Sequence, residues 1–223
     1  CRCAYRPDRP SPPPGNAERR PFTFGSFNRH AKIGTATLET WRSILRAVPE
    51  ARLSLRAAAY GRPETVAWIR DRWAARDLPV DRIDFLPWLP SADALASYAN
   101  VDVALDPFPF NGGVTTCDAL AQGLPLVALR GDRPIARQSA SLLAAAGRPE
   151  GIAASRDDYV RLAVELARTP DLRTARAARA AAVAASPLCD VDAFARRLER
   201  AYEAMVRSGP RDGHVVAPPI EIA

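Results

Sequence analysis

A double glycine followed by two threonines lies near the middle of this 223-residue chain, and these residue types in this order can bind an anion. Gly112 and Gly113 let the backbone approach a ligand with no side chain in the way. Thr115 and Thr116 open a predicted helix, whose first N–H groups and dipole favour negative charge. Asp118 follows at a position where its carboxylate could accept hydrogen bonds from sugar hydroxyls. On spacing alone, an ordinary strand-to-helix turn with Thr115 as the N-cap explains the stretch equally well.

Lys32 is the one lysine among the 31 Lys and Arg residues of the chain. A lysine sets a compact point charge against a phosphate, a task for which the wide guanidinium fork of arginine is less suited. Chance retention of a surface lysine is the alternative. Because Lys32 lies just beyond the end of the first predicted strand, we favour a functional role.

The other basic residues have the pattern of a solvated surface. The chain has a net charge of +6 and a sequence pI near 9.6. Its arginines alternate with acidic residues along predicted helices, as in 70–72 and 196–200, which is typical of an exposed helix face. No helix-turn-helix, RNA-recognition or zinc-finger pattern accompanies them. The sequence therefore argues against a nucleic-acid partner.

Four cysteines lie scattered at Cys1, Cys3, Cys117 and Cys189, without the paired spacing of a zinc site. No apolar run is long enough to cross a bilayer, and the first residues lack the apolar segment of a signal peptide. We therefore expect a cytoplasmic protein with no metal and no membrane partner. Because the sequence begins with cysteine rather than methionine, we also expect a piece of a longer polypeptide.

Short apolar strands alternate with amphipathic helices, which predicts an α/β domain over residues 21–207 with a Rossmann-like parallel sheet covered by helices on both faces. The predicted strands are 22–28, 52–56, 82–86, 101–106 and 126–129. The predicted helices are 37–48, 64–76, 92–99, 115–122, 135–146, 156–168, 172–185 and 191–207. Residues 1–20, rich in Pro and Arg, are predicted to be an interlobe linker, and 208–223 a disordered tail.

Ligands of parallel sheets bind beyond the carboxyl ends of the strands, near the point where the strand order reverses. That rule brings the loops 28–32, 87–91, 111–118 and 130–137 to one edge. The candidate ligand-binding residues on these loops are Asn28, Arg29, Lys32, Leu89, Pro90, Asn111, Gly112, Gly113, Val114, Thr115, Thr116, Asp118 and Arg137.

Two common nucleotide motifs are missing from the sequence, namely the phosphate-binding loop of NTPases and the Gly-rich fingerprint of dinucleotide oxidoreductases. A nucleoside diphosphate is the remaining natural ligand. Its phosphates would lie on the helix start at 113–116, with Lys32 across from them and the ribose at Asp118.

Several motifs, in the same order along the chain, resemble the carboxyl-terminal catalytic lobe of the protein O-GlcNAc transferases, the SPINDLY-like family. The resemblance covers residues 21–207, and the block 105–120 is specific by itself. The motifs are Phe24–Asn28 with Lys32-Ile33, Leu105–Gly113 with Thr115–Leu120, Gly123–Val127, Gly131-Asp132 with Arg137, Ser141–Leu143 and Ser186–Leu188.

The resemblance implies the second, donor-binding lobe of an inverting GT-B glycosyltransferase, which moves N-acetylglucosamine from UDP-GlcNAc to Ser or Thr of proteins without metal or other cofactor. Lys32 would neutralise the departing diphosphate as the catalytic residue. Thr115, Thr116 and the preceding glycines would bind the phosphates, and Asp118 the ribose. Residues around Leu89 and Pro90 would contact the uracil. The implied partners are UDP-GlcNAc, acceptor proteins, and an upstream catalytic lobe with tetratricopeptide repeats in the same polypeptide, without which the lobe would be inactive.

The sequence departs from the family pattern at three positions. Ala94 replaces a histidine that stacks on uracil, Ser91 replaces a lysine of animal members, and Val114 replaces a threonine of bacterial members. His30 matches no family histidine and is interpreted as a solvated loop residue. Two alternatives therefore remain: a catalytically inactive nucleotide-sugar-binding remnant, or a GT-B enzyme with another donor or acceptor.

Overall fold

The computed structural model describes residues 4–6 and 20–207, which include a six-stranded parallel sheet in the order β3-β2-β1-β4-β5-β6. The strands are β1 (Thr23–Ser26), β2 (Arg52–Arg56), β3 (Ile83–Leu86), β4 (Val103–Leu105), β5 (Leu126–Leu129) and β6 (Ile152–Ala153). The helices are α1 (Thr35–Ala47), α2 (Pro63–Ala74), α3 (Ser91–Ser97), α4 (Val114–Ala121), α5 (Gln138–Ala145), α6 (Arg156–Ala167), α7 (Arg176–Ala184) and α8 (Val191–Arg207). The predicted fold class is confirmed.

Helices cover both faces of the sheet, because alternate strand residues bury their side chains on opposite sides. On one face, α1, α2 and α6 pack over a core that includes Trp41, Leu53 and Tyr159. On the other face, α4, α5 and α7 pack over a second core that includes Ala104, Leu120 and Leu142. The sheet is thus buried on both sides, which explains the nearly continuous apolar runs of its strands.

One predicted helix is broken, the helix predicted from Leu172 begins only at Arg176, and one strand was missed. The helix predicted over 135–146 is broken: a 3-10 turn spans Pro134–Ala136, and α5 begins after Arg137, whose φ of −115° departs from helical geometry. The strand β6 was missed because two residues, Ile152 and Ala153, are too few to produce a periodic pattern.

A buried carboxylate connects the starts of β1 and β4. Asp102 accepts two hydrogen bonds from Arg20, at 2.8 and 2.7 Å, and two from Arg173, at 2.8 and 3.0 Å. It also accepts from the backbone N–H of Thr23 at 2.8 Å. These charge-assisted bonds hold the pKa of Asp102 below its ordinary value, although burial alone would raise it. Arg20, the last residue of the predicted linker, therefore packs against the lobe.

The predicted linker and tail are only partly described. Tyr5 lies against the lobe, with its backbone N–H 2.9 Å from the carbonyl oxygen of Leu188. Residues 7–19 and 208–223 lie outside the described residues. In the described part of the chain, no helix has the length and apolar character needed to cross a membrane.

Candidate functional site

The strand order reverses between β1 and β4, so the loops that follow these two strands diverge and leave a crevice at their carboxyl ends. We call this part of the sheet edge the rim; it comprises residues 27–34 after β1 and 106–118 after β4. The predicted phosphate-binding residues all lie in these two segments. The topology thus brings together Lys32 and the Gly-Gly bend, which are far apart in sequence.

Lys32 is held at the bend by two oxygen atoms. Its Nζ donates to the carbonyl oxygen of Asn111 at 2.8 Å and to Oδ1 of Asn28 at 3.3 Å. It also lies 4.4 Å from the ring centroid of Phe110, close enough for a cation–π contact. The ammonium group therefore sits on the bend before α4, as the sequence predicted.

The surroundings of Lys32 shift the pKa of its ammonium group in opposite directions. Burial lowers the pKa of Lys32 because desolvation disfavours the ammonium form, and the neighbouring Arg29 lowers it further. The carboxylate of Asp106 acts in the opposite direction and raises the pKa. An arriving anion would also favour the charged ammonium.

Internal crowding limits side chains at Gly112, and to a lesser degree at Gly113, where only the flexible end of one side chain lies close. A Cβ atom on Gly112 would collide with the Thr116 hydroxyl and lie 2.6 Å from Oδ1 of Asp106. A Cβ atom on Gly113 would collide with the amide of Gln138. The sequence attributes both glycines to the close approach of a ligand, and in the structure side chains of the lobe itself also lie close to both positions.

Asp106 stabilises the bend through hydrogen bonds. Its Oδ1 accepts from the backbone N–H of Gly112 at 2.8 Å and from the Thr116 hydroxyl at 3.4 Å. The residue is 2% exposed, and its Oδ2 is buried without a hydrogen-bond partner among the described residues. Burial raises the pKa of Asp106 to about 7, against the opposing effects of these donors and of the Lys32 ammonium.

The first turn of α4 presents different groups inward and outward. Val114 is exposed, whereas Thr115 is half-buried and donates from Oγ1 to Oδ1 of Asn28 at 3.2 Å. Thr116 is 1% exposed, and its hydroxyl lies 2.9 Å from the hydroxyl of Ser139. The Thr116 side chain, predicted to face the phosphates, therefore points into the lobe, because α5 supplies its partner.

Asn28 joins the two halves of the rim. Its Oδ1 accepts from both Lys32 and Thr115, and its side chain is buried. The amide thereby fixes the loop after β1 to the start of α4. This geometry is that of a residue that positions its neighbours.

Asp118 is half-buried on α4 and accepts a hydrogen bond from the Tyr5 hydroxyl on Oδ1 at 2.6 Å. Tyr98, nearby, donates to the carbonyl oxygen of Thr115 at 3.2 Å. Burial raises the pKa of Tyr98, and the charges of Asp118 and Tyr5 add to this effect. Tyr5 and Tyr98 were not predicted from the sequence.

The remaining predicted residues lie further out. Arg29 is exposed beside Lys32, and Arg137 is exposed with its Nη1 3.4 Å from the carbonyl oxygen of Gly131. Leu89 and Pro90 follow β3, which lies two strands from β1 at the same sheet edge. Arg29 contacts Lys32 through the backbone, since its carbonyl oxygen accepts from the Lys32 N–H at 3.0 Å. The other three residues lie on the loops after β3 and β5.

His30 is not the solvated loop residue that the sequence suggested. Its ring is half-buried and stacks on Trp73, with centroids 5.8 Å apart, and its Nδ1 lies 3.1 Å from the Tyr60 hydroxyl. Burial lowers the pKa of His30, which favours the neutral ring. An aromatic cluster under the rim therefore holds this histidine.

Asp106 and Ser139 were missed as contributors to the rim. An acidic residue at the end of the apolar run 101–106 was a visible signal, since a buried carboxylate needs donors. Ser139 carried no such signal, because its role depends on how α5 packs against α4. The described residues contain no cluster of three or more His, Cys, Asp or Glu side chains that could hold a metal ion.

A cavity of about 370 Å³ lies away from the rim, among α4, α5, α6 and α7. Its lining includes Pro125 and Gly151, which precede β5 and β6, so it opens toward the amino ends of the strands. Seven of its fifteen lining residues are leucines. Side chains of both hydrophobic cores line it, and it shares no residue with the rim.

Residues 19–198 match the sequence profile described as glycosyl transferase family 41. The chain is 35% identical over 210 residues to the Petunia hybrida protein named "Probable UDP-N-acetylglucosamine--peptide N-acetylglucosaminyltransferase SPINDLY". That alignment covers 89% of this chain and 22% of the Petunia protein. The chain therefore spans about a fifth of the length of this relative.

Solved structures are similar to the chain at two levels of sequence identity. A mutant of the Thermobaculum terrenum O-GlcNAc transferase superposes with a TM-score of 0.78 and 34% identity, covering 92% of this chain and 39% of that one. The sucrose-phosphate synthase of Thermosynechococcus elongatus superposes with a TM-score of 0.56 at 17% identity, covering 85% of this chain and 46% of that one. At this lower identity the likeness shows the fold alone, which is a lobe of the GT-B architecture.

Proposed function

Because the chain belongs to glycosyl transferase family 41, we propose that it is the UDP-N-acetylglucosamine-binding lobe of an inverting protein O-GlcNAc transferase. The enzyme would transfer N-acetylglucosamine to Ser or Thr hydroxyls of acceptor proteins. The observation that carries the proposal is the position of the Lys32 ammonium, 2.8 Å from the carbonyl oxygen of Asn111 at the bend before α4. A fixed cation beside a helix N-terminus suits a diphosphate.

The proposed chemistry uses this cation on the leaving group. The acceptor hydroxyl attacks the anomeric carbon opposite the diphosphate and releases its proton to water. The bond between that carbon and the diphosphate oxygen breaks, and the configuration inverts. Negative charge grows on UDP as it departs. Lys32 and the first N–H groups of α4 stabilise that charge more strongly in the transition state than in the bound donor. The proposal needs no metal ion, which follows the family resemblance.

Other residues hold the donor in this proposal. The backbone of Gly113 and the half-buried Thr115 face the phosphates, and Asp118 accepts from the ribose hydroxyls. Leu89 and Pro90 contact the uracil from the loop after β3. Asn28 and Asp106 act one step away, because their side chains fix Lys32 and the bend through the hydrogen bonds described above.

Acceptor binding and the complete active site are assigned to other parts of the polypeptide. The chain covers 22% of the Petunia relative, and we infer that an upstream catalytic lobe and tetratricopeptide repeats supply the rest. The isolated lobe would bind the donor and transfer nothing. The alternative from a different functional class is a binding module, that is, a lobe that binds a nucleotide sugar but has lost catalysis. Transfer activity of the polypeptide with its upstream part separates the two.

A different donor is the second alternative, and the start of α3 favours it. Ala94 and Ser91 occupy positions where the resemblance leads us to expect a stacking histidine and a lysine. Neither a methyl group nor a short hydroxyl can stack on a base. The base is therefore recognised by other groups, and its identity is open to test.

Isothermal titration calorimetry of the 223-residue chain with UDP, GDP and ADP tests the proposal. We expect UDP to bind more tightly than GDP or ADP, in the absence of added metal. Tighter binding of GDP or ADP would mean that the donor carries that nucleotide in place of UDP. Absence of binding by all three nucleotides would overturn the assignment of the rim as a donor site.

A further inference from the structure

Tyr5 is built into the lobe although it precedes β1 in the sequence. Its backbone N–H donates to the carbonyl oxygen of Leu188 at 2.9 Å, and its ring packs against the second hydrophobic core. Its hydroxyl donates to Oδ1 of Asp118 at 2.6 Å. The backbone bond and the ring packing together fix the phenol, so its hydroxyl reaches Asp118 from a defined direction.

The contact between Tyr5 and Asp118 has the length of a charge-assisted hydrogen bond, for which an O–H donor lies 2.5–2.7 Å from a carboxylate oxygen. Asp118 is half-buried in α4. A half-buried aspartate can take several rotamers, and a bond to one of its oxygens selects among them. Tyr5 is thereby able to determine where the carboxylate points.

We propose that Tyr5 is a positioning residue for the donor: its hydroxyl holds the Asp118 carboxylate in the orientation that receives the ribose hydroxyls. The inference rests on the proposed function, since it takes Asp118 as the ribose contact. A carboxylate accepts several hydrogen bonds at once, so the phenol and the ribose share Asp118 without competing. Fixing the carboxylate before binding removes part of the ordering cost of association.

This role joins the nucleotide site to the segment that precedes the lobe. The ribose contact depends on α4 through Asp118, on Tyr5, and on the turn before α8 through Leu188. Residues that lie before the lobe in sequence thus complete one of its ligand contacts. The site is not contained in the sheet and its loops alone.

The test is Tyr5→Phe, which removes the hydroxyl and keeps the ring, with Tyr202→Phe on the exposed side of α8 as the matched control. Affinities for UDP and for 2′,3′-dideoxy-UDP are measured by calorimetry on the whole chain. We expect Tyr5→Phe to weaken UDP binding about threefold to tenfold, the range for one lost hydrogen bond. Binding of the dideoxy analogue should be unchanged, because it has no ribose hydroxyl for Asp118 to receive.

An equal loss for both ligands would overturn the positioning role, since a general structural effect does not distinguish them. Unchanged or tighter UDP binding would overturn it as well, the latter by showing that the phenol competes with the ribose. In an Asp118→Ala background, Tyr5→Phe should have no further effect, and a further loss would contradict the coupling. If the unaltered chain does not bind UDP, the proposed function itself fails, and this inference fails with it.

Discussion

Asn28 shows how much of the site depends on a single amide. Its Oδ1 accepts from the Lys32 ammonium and from the Thr115 hydroxyl, at 3.3 and 3.2 Å. One buried oxygen thus fixes a cation on the loop after β1 and a hydroxyl on the first turn of α4. The sequence indicated Asn28 as a ligand contact, whereas its geometry gives it the work of aligning two other groups.

Replacement of Lys32 by alanine should weaken UDP binding at least about tenfold, because it removes a charge-assisted contact to the diphosphate. Transfer by the polypeptide that includes the upstream part should be abolished. The fold should persist, since Lys32 is half-buried and no core side chain depends on it. Calorimetry measures the affinity, and Arg46→Ala, an exposed cation on α1, serves as the control. Equal UDP affinity in Lys32→Ala and Arg46→Ala would remove Lys32 from the site.

Asp106 should make the free energy of unfolding depend on pH. Its pKa is about 7 in the folded lobe and 3.8 as the ordinary value, so the folded state binds the proton more tightly. The contribution of protonated Asp106 to the free energy of unfolding is therefore complete below the unfolded pKa and is lost as pH rises toward 7. The free energy of unfolding should fall by up to about 1.4 kcal/mol per pH unit in this range.

Urea denaturation of the unaltered chain and of Asp106→Asn, at pH values from 4 to 8, measures this slope. The variant should lose less stability than the unaltered chain as pH rises, because Asn carries no titrating proton. Asp71→Asn, at an exposed position on α2, is the control. Parallel pH profiles for Asp106→Asn and the unaltered chain would contradict the assignment.

Residue types alone marked Lys32, Asp118 and the glycine bend as candidates, because a lone lysine and a Gly-Gly-x-Thr-Thr run are visible in the sequence. The direction in which a side chain points was not visible. Thr116 faces inward only because Ser139 on α5 offers a hydroxyl at 2.9 Å. Tyr5 reaches Asp118 only because Leu188 accepts its backbone N–H. Such roles depend on tertiary packing between segments that are distant in sequence.

At the scale of secondary-structure elements, α4 is fixed at both ends. Asp106 binds the bend at its start, and Gly123 follows its end with a φ of +70°. Arg176 on α7 donates to the carbonyl oxygens of Gln122, Val101 and Tyr98, which ties α7 to the end of α4. The start and the end of the helix that presents the candidate phosphate site are therefore both held by neighbouring residues.

Gly123→Ala should destabilise the lobe by more than the same change at Gly147. Both glycines have a positive φ, near +70°, which costs an alanine about 1 kcal/mol. At Gly123 the new methyl group would also collide with the backbone carbonyl of Arg176, whereas nothing lies within 4 Å at Gly147. The collision should add about 1–3 kcal/mol.

Thermal or urea unfolding of the two glycine variants measures this difference. Equal losses of stability would show that α4 and α7 can separate at little cost. A larger loss at Gly123 should be accompanied by weaker UDP binding, because a shift of α7 moves α4 with it. Gly147→Ala should leave UDP affinity unchanged, since Gly147 follows α5 and lies away from the rim.

The boundaries of the strands and helices show where the sequence pattern was sufficient. The spans of β2, β5 and α8 were predicted to the residue, because apolar periodicity and flanking Pro or Gly defined them. The break at Arg137 was not predicted, because the apolar spacing continues from Ile135 into α5. Backbone geometry changes there without any change in the hydrophobic pattern.

At the scale of the whole lobe, alternating strands and helices were enough to predict a parallel sheet with its ligand edge. The position of the crevice between β1 and β4 required the strand order, which no local pattern contains. The resemblance to a family supplied what local reasoning lacked, namely an order of motifs from residue 21 to residue 207.

Saturating UDP should raise the melting temperature of the whole lobe. A ligand at 100 times its dissociation constant stabilises the folded state by about 2.7 kcal/mol. For a domain of this size, that corresponds to a rise of roughly 5–11 °C. Differential scanning fluorimetry measures the shift, and Lys32→Ala at the same UDP concentration should show a smaller one. A shift of equal size in both proteins would place the nucleotide away from Lys32.

The ammonium group of Lys32 is immobilised by two oxygens of the protein before any nucleotide arrives. A flexible surface lysine would have to give up rotational freedom and reorganise its water shell each time a diphosphate formed. Here that adjustment is already made in the folded chain. In the proposed transferase, the lobe would act as a preorganised electrostatic template for the departing diphosphate.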